Sequence, residues 1–380
     1  MRRGALVLSL AGTGLLAGCA MLPGFLGGQR AERPQPAELQ RNPGLIGVRQ
    51  AWVARVPAVD FPLVVSVAGG SVVVASGDGT VVALDPATGR EAWRASAGGP
   101  VAAGVGSDGR LAAVVTRENQ LVAISAGQVA WRAAVGAQVF TPPLVAGGRV
   151  FVLAGDRSVS AYDGATGRRL WVQQRTGDPL VLRQAGVLLA VGDTLVAGQG
   201  GRLVGLDPRN GSSRWEAPIA TPRGTNDVER LVDLVGPASR EGNGVCVRAY
   251  QAAVGCVDAT RGTVQWTRPA SGAQGLGGDE RRLFGTEADG RVVAWRRADG
   301  ERDWVNTTLQ WRSLFVPVPV GRSIAIADGA GLVHLLSRED GSLNNRLATD
   351  GSAVAAAPVL SGNTLVVVTR SGGVFGFVPQ

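Results

Sequence analysis

The stretch TVVALDPATGREAW, residues 80–93, decides the fold. Thr80 to Leu84 form a nearly unbroken apolar run bounded by turn residues, the pattern of a buried strand. Asp85 follows, a residue suited to hydrogen-bonding the backbone of a turn, and Gly89 supplies the positive φ that such a turn needs. Trp93 then falls on the next strand, where its large ring can fill a wedge between sheets. Just upstream, Asp78-Gly79 sits between apolar runs as a tight hairpin turn, and Asp289-Gly290 does the same later in the chain.

The arrangement recurs. Ala161-Tyr162-Asp163 comes with Gly167 and Trp171, Gly205-Leu206-Asp207 with Gly211 and Trp215, and Cys256-Val257-Asp258 with Gly262 and Trp266. A degenerate copy reads Ala294-Trp295-Arg296 with Gly300 and Trp304. Another, Leu335-Leu336-Ser337 with Gly341, has Asn345 in the Trp place, and the copy ending at Trp131 is shortened. Trp52, Trp93, Trp131, Trp171, Trp215, Trp266 and Trp304 are spaced by 41, 38, 40, 44, 51 and 38 residues. A period of about 40 suits one four-stranded propeller blade. An eighth copy begins at Ser352 and stops at Gln380 before any outer strand, while Gln50-Ala51-Trp52-Val53 reads as an outer strand with no inner strands before it. Joining the two gives an all-β, eight-bladed propeller of four-stranded antiparallel blades over residues 47–380. The N-terminal strand closes the ring, leaving no sheet open at the ends of the repeat array.

Composition agrees and excludes much chemistry. With 45% hydrophobic and 18% charged residues, the chain has a sizeable core. One His and three Cys cannot build a His-rich zinc site, a Ser-His-Asp triad with a spare His, or a multi-Cys cluster. No catalytic residue, metal site or cofactor is therefore expected. His334 lies in the apolar run Leu332 to Leu336 and reads as a satisfied core residue. Trp295 and Trp311 fall off the ruler; strand packing is the reading for both, an exposed partner contact the alternative. The net charge of +8 is carried entirely by Arg and is dispersed, so no nucleic-acid partner is expected. Contact of this basic surface with anionic lipid stays open.

The N-terminus is an address. Arg2 and Arg3 precede an apolar segment, Gly4 to Leu16, too short to span a bilayer. Leu16-Ala17-Gly18-Cys19 resembles the lipobox of bacterial lipoproteins, which implies cleavage of residues 1–18 and acylation of Cys19; an ordinary free thiol is the alternative. Ala20, where an Asp would imply inner-membrane retention, implies the outer membrane, periplasmic face. Residues 19–46, rich in Pro, Gly, Arg and Gln, read as the lipidated Cys and a flexible tether. Further on, a hairpin centred on Gln251 would set Cys246 opposite Cys256. A cross-strand disulfide is expected in an oxidising periplasm, with two reduced core thiols as the alternative.

The Ala-x-Asp-x-x-x-Gly-x-x-x-Trp repeat is similar to that of the pyrroloquinoline-quinone (PQQ) dehydrogenase propellers. With the lipobox and eight copies it resembles, over the whole chain, the BamB family of non-enzymatic lipoproteins of the outer-membrane β-barrel assembly machinery. Two stretches add to this: Pro179-Leu180-Val181-Leu182-Arg183 and Asn226 to Asp233 resemble that family's two inter-blade loops. The resemblance implies docking on a periplasmic POTRA domain of BamA, the barrel-forming insertase, through Leu180, Leu182, Arg183 and Asp233, with Arg230 beside them. It also implies other lipoproteins of the machinery as partners, and nascent outer-membrane proteins as a further one. The family's second acidic position is Val235 here. Read from the residues alone, Leu180 and Leu182 fit an ordinary outer strand. The enzymatic alternative, a PQQ-dependent periplasmic dehydrogenase, lacks its adjacent Cys pair, since Cys246 and Cys256 are ten apart, and no set of calcium ligands stands out.

Overall fold

The structure, a computed structural model, describes residues 34–175, 180–222, 225 and 231–380. Among these, eight four-stranded antiparallel sheets form an eight-bladed propeller. Blade one runs from its inner strand outward as Ser66–Ala68, Ser71–Ala75, Thr80–Leu84 and Glu91–Ser96. Blades two to seven repeat the order, with outer strands Gln128–Ala134, Arg169–Gln173, Ser213–Pro218, Thr263–Pro269, Arg302–Asn306 and Leu343–Ala348. Blade eight joins Val359–Ser361, Thr364–Val368 and Gly373–Pro379 to the N-terminal strand Val48–Arg55. Trp52 lies opposite Gly376 in that closing pair. The ring is closed as the sequence implies.

The up-and-down order within blades gives the ring two distinct faces. Connections from an outer strand to the next inner strand share one face with the turns between second and third strands. The remaining turns, including each Asp-x-x-x-Gly turn, occupy the other.

Each repeat residue has a physical role at the seam between blades. Asp85 Oδ1 accepts hydrogen bonds from the Ala87 and Thr88 amides and the Thr88 hydroxyl, while Gly89 N–H donates to the Asp85 carbonyl at 2.8 Å. The Thr88 hydroxyl, then its amide, holds the Asp85 carboxyl below the usual carboxylate range. The turn so formed is the pedestal for the preceding blade's Trp. A Cβ on Gly89 would stand 2.5 Å from the Trp52 ring, on Gly167 2.5 Å from Trp131, and on Gly211 2.6 Å from Trp171. The indole N–H then donates to the carbonyl one residue past the turn-opening position: Trp52 to Pro86 (2.9 Å), Trp171 to Pro208 (3.1 Å), Trp304 to Arg338 (2.9 Å). Within its own blade the Trp faces a small residue. Ala83 lies opposite Trp93, Ala161 opposite Trp171 and Gly205 opposite Trp215, each beside a register shift that re-aims the side chain.

The exception proves instructive. Blade seven has Asn345 for Trp and Leu335 opposite it. The next blade is the closing one, where the third and fourth strands are the two ends of the ring and no Asp-x-x-x-Gly turn joins them. Asn345 Nδ2 instead donates to the Ile46 carbonyl at 2.7 Å, and Asn42 donates to its Oδ1 at 2.9 Å. The segment before the first strand, read from sequence as the end of a flexible tether, is thus held on blade seven. Ala37 N–H donates to the Gln310 carbonyl, Leu45 N–H to that of Asn344, and Arg346 to that of Gln40. Its bonds are backbone-directed, so no apolar alternation marked it.

Two aromatic expectations part company. Trp295 is buried on the strand Val292–Arg296 with the Arg248 guanidinium 5.5 Å from its ring centroid. Trp311 does not pack in a strand: it is 42% exposed, in a loop, at φ 61°. His334 is buried, with Nε2 3.0 Å from Asp328 Oδ2 and Nδ1 accepting from Arg346 Nε at 3.3 Å.

Two predictions follow from these environments. Gly89→Ala, which needs both positive φ and the space taken by Trp52, should lose ~2 kcal/mol or more. Gly70→Ala, also at positive φ but with open space, should lose only ~1 kcal/mol; equal urea midpoints for the two variants would contradict the seam. Burial pushes the His334 imidazole below its ordinary value, outweighing Asp328. Below about pH 6.5 the unfolded chain therefore binds a proton that the folded ring resists, and stability falls as pH falls. Between pH 7.5 and 5.5 the wild type should lose more stability in urea than His334→Gln; matching losses would refute the assignment.

Candidate functional site

The connections between blades three and four and between blades four and five lie side by side on one face. Residues 180–187 belong to the first and carry no strand until Leu188, so the outer-strand reading of Leu180 and Leu182 does not hold. Asp233 closes the second connection. Arg157 Nη2 donates to Asp233 Oδ1 at 3.2 Å and to the Leu180 carbonyl at 3.2 Å, and the Leu182 amide donates to Asp233 Oδ2 at 3.1 Å. Both carboxylate oxygens are thus engaged within the chain, and the side chains of Arg157 and Asp233 are each 15% exposed. Asp233 ties the two loops together rather than standing out from them. Further ties run from Gly186 N–H to the Thr141 hydroxyl (2.9 Å), from Gly236 N–H to the Ala185 carbonyl (2.9 Å), and from Gln184 to the Ala273 carbonyl (3.0 Å).

The groups left outward are Leu180, 38% exposed, and Arg183, whose guanidinium stands 5.9 Å from the Phe140 ring centroid; Leu182 is half-buried between them. The structure therefore brings Leu180, Leu182, Arg183 and Asp233 onto one surface. Arg230 and Cys19 lie outside the described residues. Val235 is buried and pairs with Arg248 in blade five, so it offers nothing in place of the family's second acid.

Arg157 escaped the sequence reading, although a signal existed. In Asp156-Arg157 the Arg takes the place that Gly holds in Asp78-Gly79 and Asp289-Gly290, and it does so at φ 65°. A bulky residue in that region is uncommon and is held there only when its surroundings fix it.

The central channel opens on the same face. Its mouth is a 710 Å³ cavity lined largely by apolar groups such as Phe61, Leu63, Phe315, Val316 and Pro358, with Asp60 and Arg370 the charged members. That lining does not suit a tricarboxylate quinone held by cations and a calcium ion. Among the described residues no group of three His, Cys, Asp or Glu is placed to hold a metal. Cys246 and Cys256 face each other in register in blade five with their sulfurs bonded and Cα atoms 4.0 Å apart, away from the channel lining. Other buried charge is likewise structural: Arg248 pairs with Glu287 at 3.0 Å between blades five and six.

Comparison with known proteins bears on the family and the fold. The sequence model of the family described as outer membrane protein assembly factor BamB matches residues 77–306. The outer membrane protein assembly factor BamB of Burkholderia pseudomallei is 38% identical over 92% of this chain and 92% of its own length. The crystal structure of BamB from Moraxella catarrhalis superposes with a TM-score of 0.79 at 25% identity, covering 87% of this chain and 99% of that one. Quinohemoprotein alcohol dehydrogenase from Comamonas testosteroni shares the fold alone, with a TM-score of 0.67 at 14% identity over 89% of this chain and 78% of that one. Over most of its length, then, the chain belongs to the BamB family of outer-membrane protein assembly factors.

Proposed function

We propose that the protein is a non-enzymatic scaffold of the outer-membrane β-barrel assembly machinery, anchored through an acylated Cys19 to the periplasmic face of the outer membrane. It docks on the periplasmic POTRA region of BamA through Leu180, Leu182 and Arg183, alongside the machinery's other lipoproteins, and helps orient the insertase as it receives nascent barrel proteins. The observation that carries this reading is the tie between two loops about fifty residues apart, which leaves an apolar and cationic surface outward on a rigid face. Exposed Leu with Arg is a composition suited to an interface: the apolar groups form a small dry centre and the guanidinium makes charge-assisted hydrogen bonds. Asp233 and Arg157 act behind that surface by holding it in shape. Strand addition to the outer blade edges, which expose Val53, Val172 and Val305, is a further means of receiving unfolded precursors.

Titration of the full chain with the BamA periplasmic region tests the docking. Leu180→Ala and Arg183→Ala should each weaken binding about tenfold or more, ~1.4 kcal/mol. Arg157→Ala and Asp233→Ala should each weaken it, with the double variant losing less than the sum of the two, because they share one ion pair. Undiminished binding by Leu180→Ala and Arg183→Ala would overturn the site, and no binding by the wild type would overturn the function.

A further inference from the structure

The first strand begins at Val48 beside Pro379, on the face of the Asp-x-x-x-Gly turns, with Gln380 N–H bonded to the Gly47 carbonyl. A chain leaving the ring there would depart from the face opposite the docking loops. It does not leave there. Residues 46 back to 37 climb the outer edge of blade seven, antiparallel to Leu343–Ala348. Leu45 bonds Asn344, Asn42 reaches the Arg346 carbonyl at 3.1 Å, and Arg346 reaches the Gln40 carbonyl at 3.0 Å. At the top, Ala37 N–H donates to the Gln310 carbonyl at 2.9 Å while Arg312 donates to the Ala37 carbonyl at 3.0 Å. Gln310 and Arg312 belong to the connection between blades six and seven, on the docking face. Both arginines are braced from inside the blade, Arg312 by Asp328 at 2.9 Å and Arg346 by His334.

We propose that residues 36–46 are a strap that makes the loop-bearing face the side of the ring turned toward the membrane; this rests on Cys19 as the lipid anchor. The strap moves the point of pull from one face to the other. It also shortens the leash between Cys19 and the ring from 27 residues to 16, a covalent reach of at most ~60 Å. A ring tethered in this way presents Leu180 and Arg183 to a partner that itself enters the bilayer.

The test uses the full acylated chain on vesicles of phosphatidylethanolamine and phosphatidylglycerol carrying an acceptor-labelled headgroup. A donor dye is placed at Trp311→Cys, in the connection before the inner strand of blade seven, or at Arg322→Cys, in the turn after it, which lie on opposite faces of the ring. Energy transfer should place position 311 nearer the lipid by ~10–20 Å, about a strand length. Replacing Arg312, Arg346 and Asn42 together with Ala, which removes the side-chain donors that hold the strap, should abolish or invert that order. Equal or reversed distances in the wild type, or an order that survives the replacement, would overturn the proposal. Flotation with the vesicles separates the two layers of the argument: protein that does not float removes the anchor and the strap's role with it, whereas floating protein with the wrong order removes the strap's role alone.

Discussion

Everything in this ring depends on an indole lying flat on a glycine. Each blade is a small sheet that cannot bury its own faces, so its stability comes from its neighbours. The Trp at the end of one blade reaches over the seam onto the Gly of the next blade's turn, and the N–H groups of Trp52, Trp131, Trp171, Trp266 and Trp304 are satisfied by a carbonyl of that turn, whereas Trp215 Nε1 is buried without a hydrogen-bond partner. Removing a buried ring of this size costs ~3–5 kcal/mol in typical cores. The contact demands three small concessions at once: no Cβ on the pedestal, a small residue opposite the Trp within its own sheet, and an Asp, or a substitute for it, to fold the turn. Where the ring closes, the pedestal turn is replaced by the two chain ends, and the seam changes chemistry. Asn345 hydrogen-bonds across it instead, and Leu335 is free to be large.

A ring fixed in this way offers its faces as rigid platforms. On one, loops between blades three, four and five are tied by Arg157, Asp233 and Gln184 into a single surface. Those ties engage polar groups within the chain and leave Leu180 and Arg183 exposed. The apolar lining of the channel mouth and the position of the disulfide inside a blade supply none of the cation-rich cradle that a quinone cofactor needs. What the chain shares with quinohemoprotein alcohol dehydrogenase is the fold alone.

Much of this was legible from residues 80–93 and their echoes, because periodic packing leaves a periodic sequence. The blade count, the closing strand and the pairing of Cys246 with Cys256 all follow from strand-length runs and turns. What escaped was aperiodic. Arg157 announces itself only by standing where other repeats have Gly, and its partners are 23 and 76 residues away. Asp233 reads in the sequence as a partner contact, and nothing there shows that it also ties two loops through bonds to residues 76 and 51 positions away. The strap has no apolar alternation, since backbone carbonyls do its binding, and Trp311 has no signal separating a loop aromatic from a strand one.

On the function proposed above, this face, held by the seams beneath it, is the one that engages the assembly machinery. Hydrogen–deuterium exchange of the full chain with and without the BamA periplasmic region tests that directly. Added protection is expected in residues 180–187 and 231–236, with the Asp-x-x-x-Gly turns on the opposite face unchanged. Protection confined to those turns, with the loop amides exchanging as in the free protein, would contradict it.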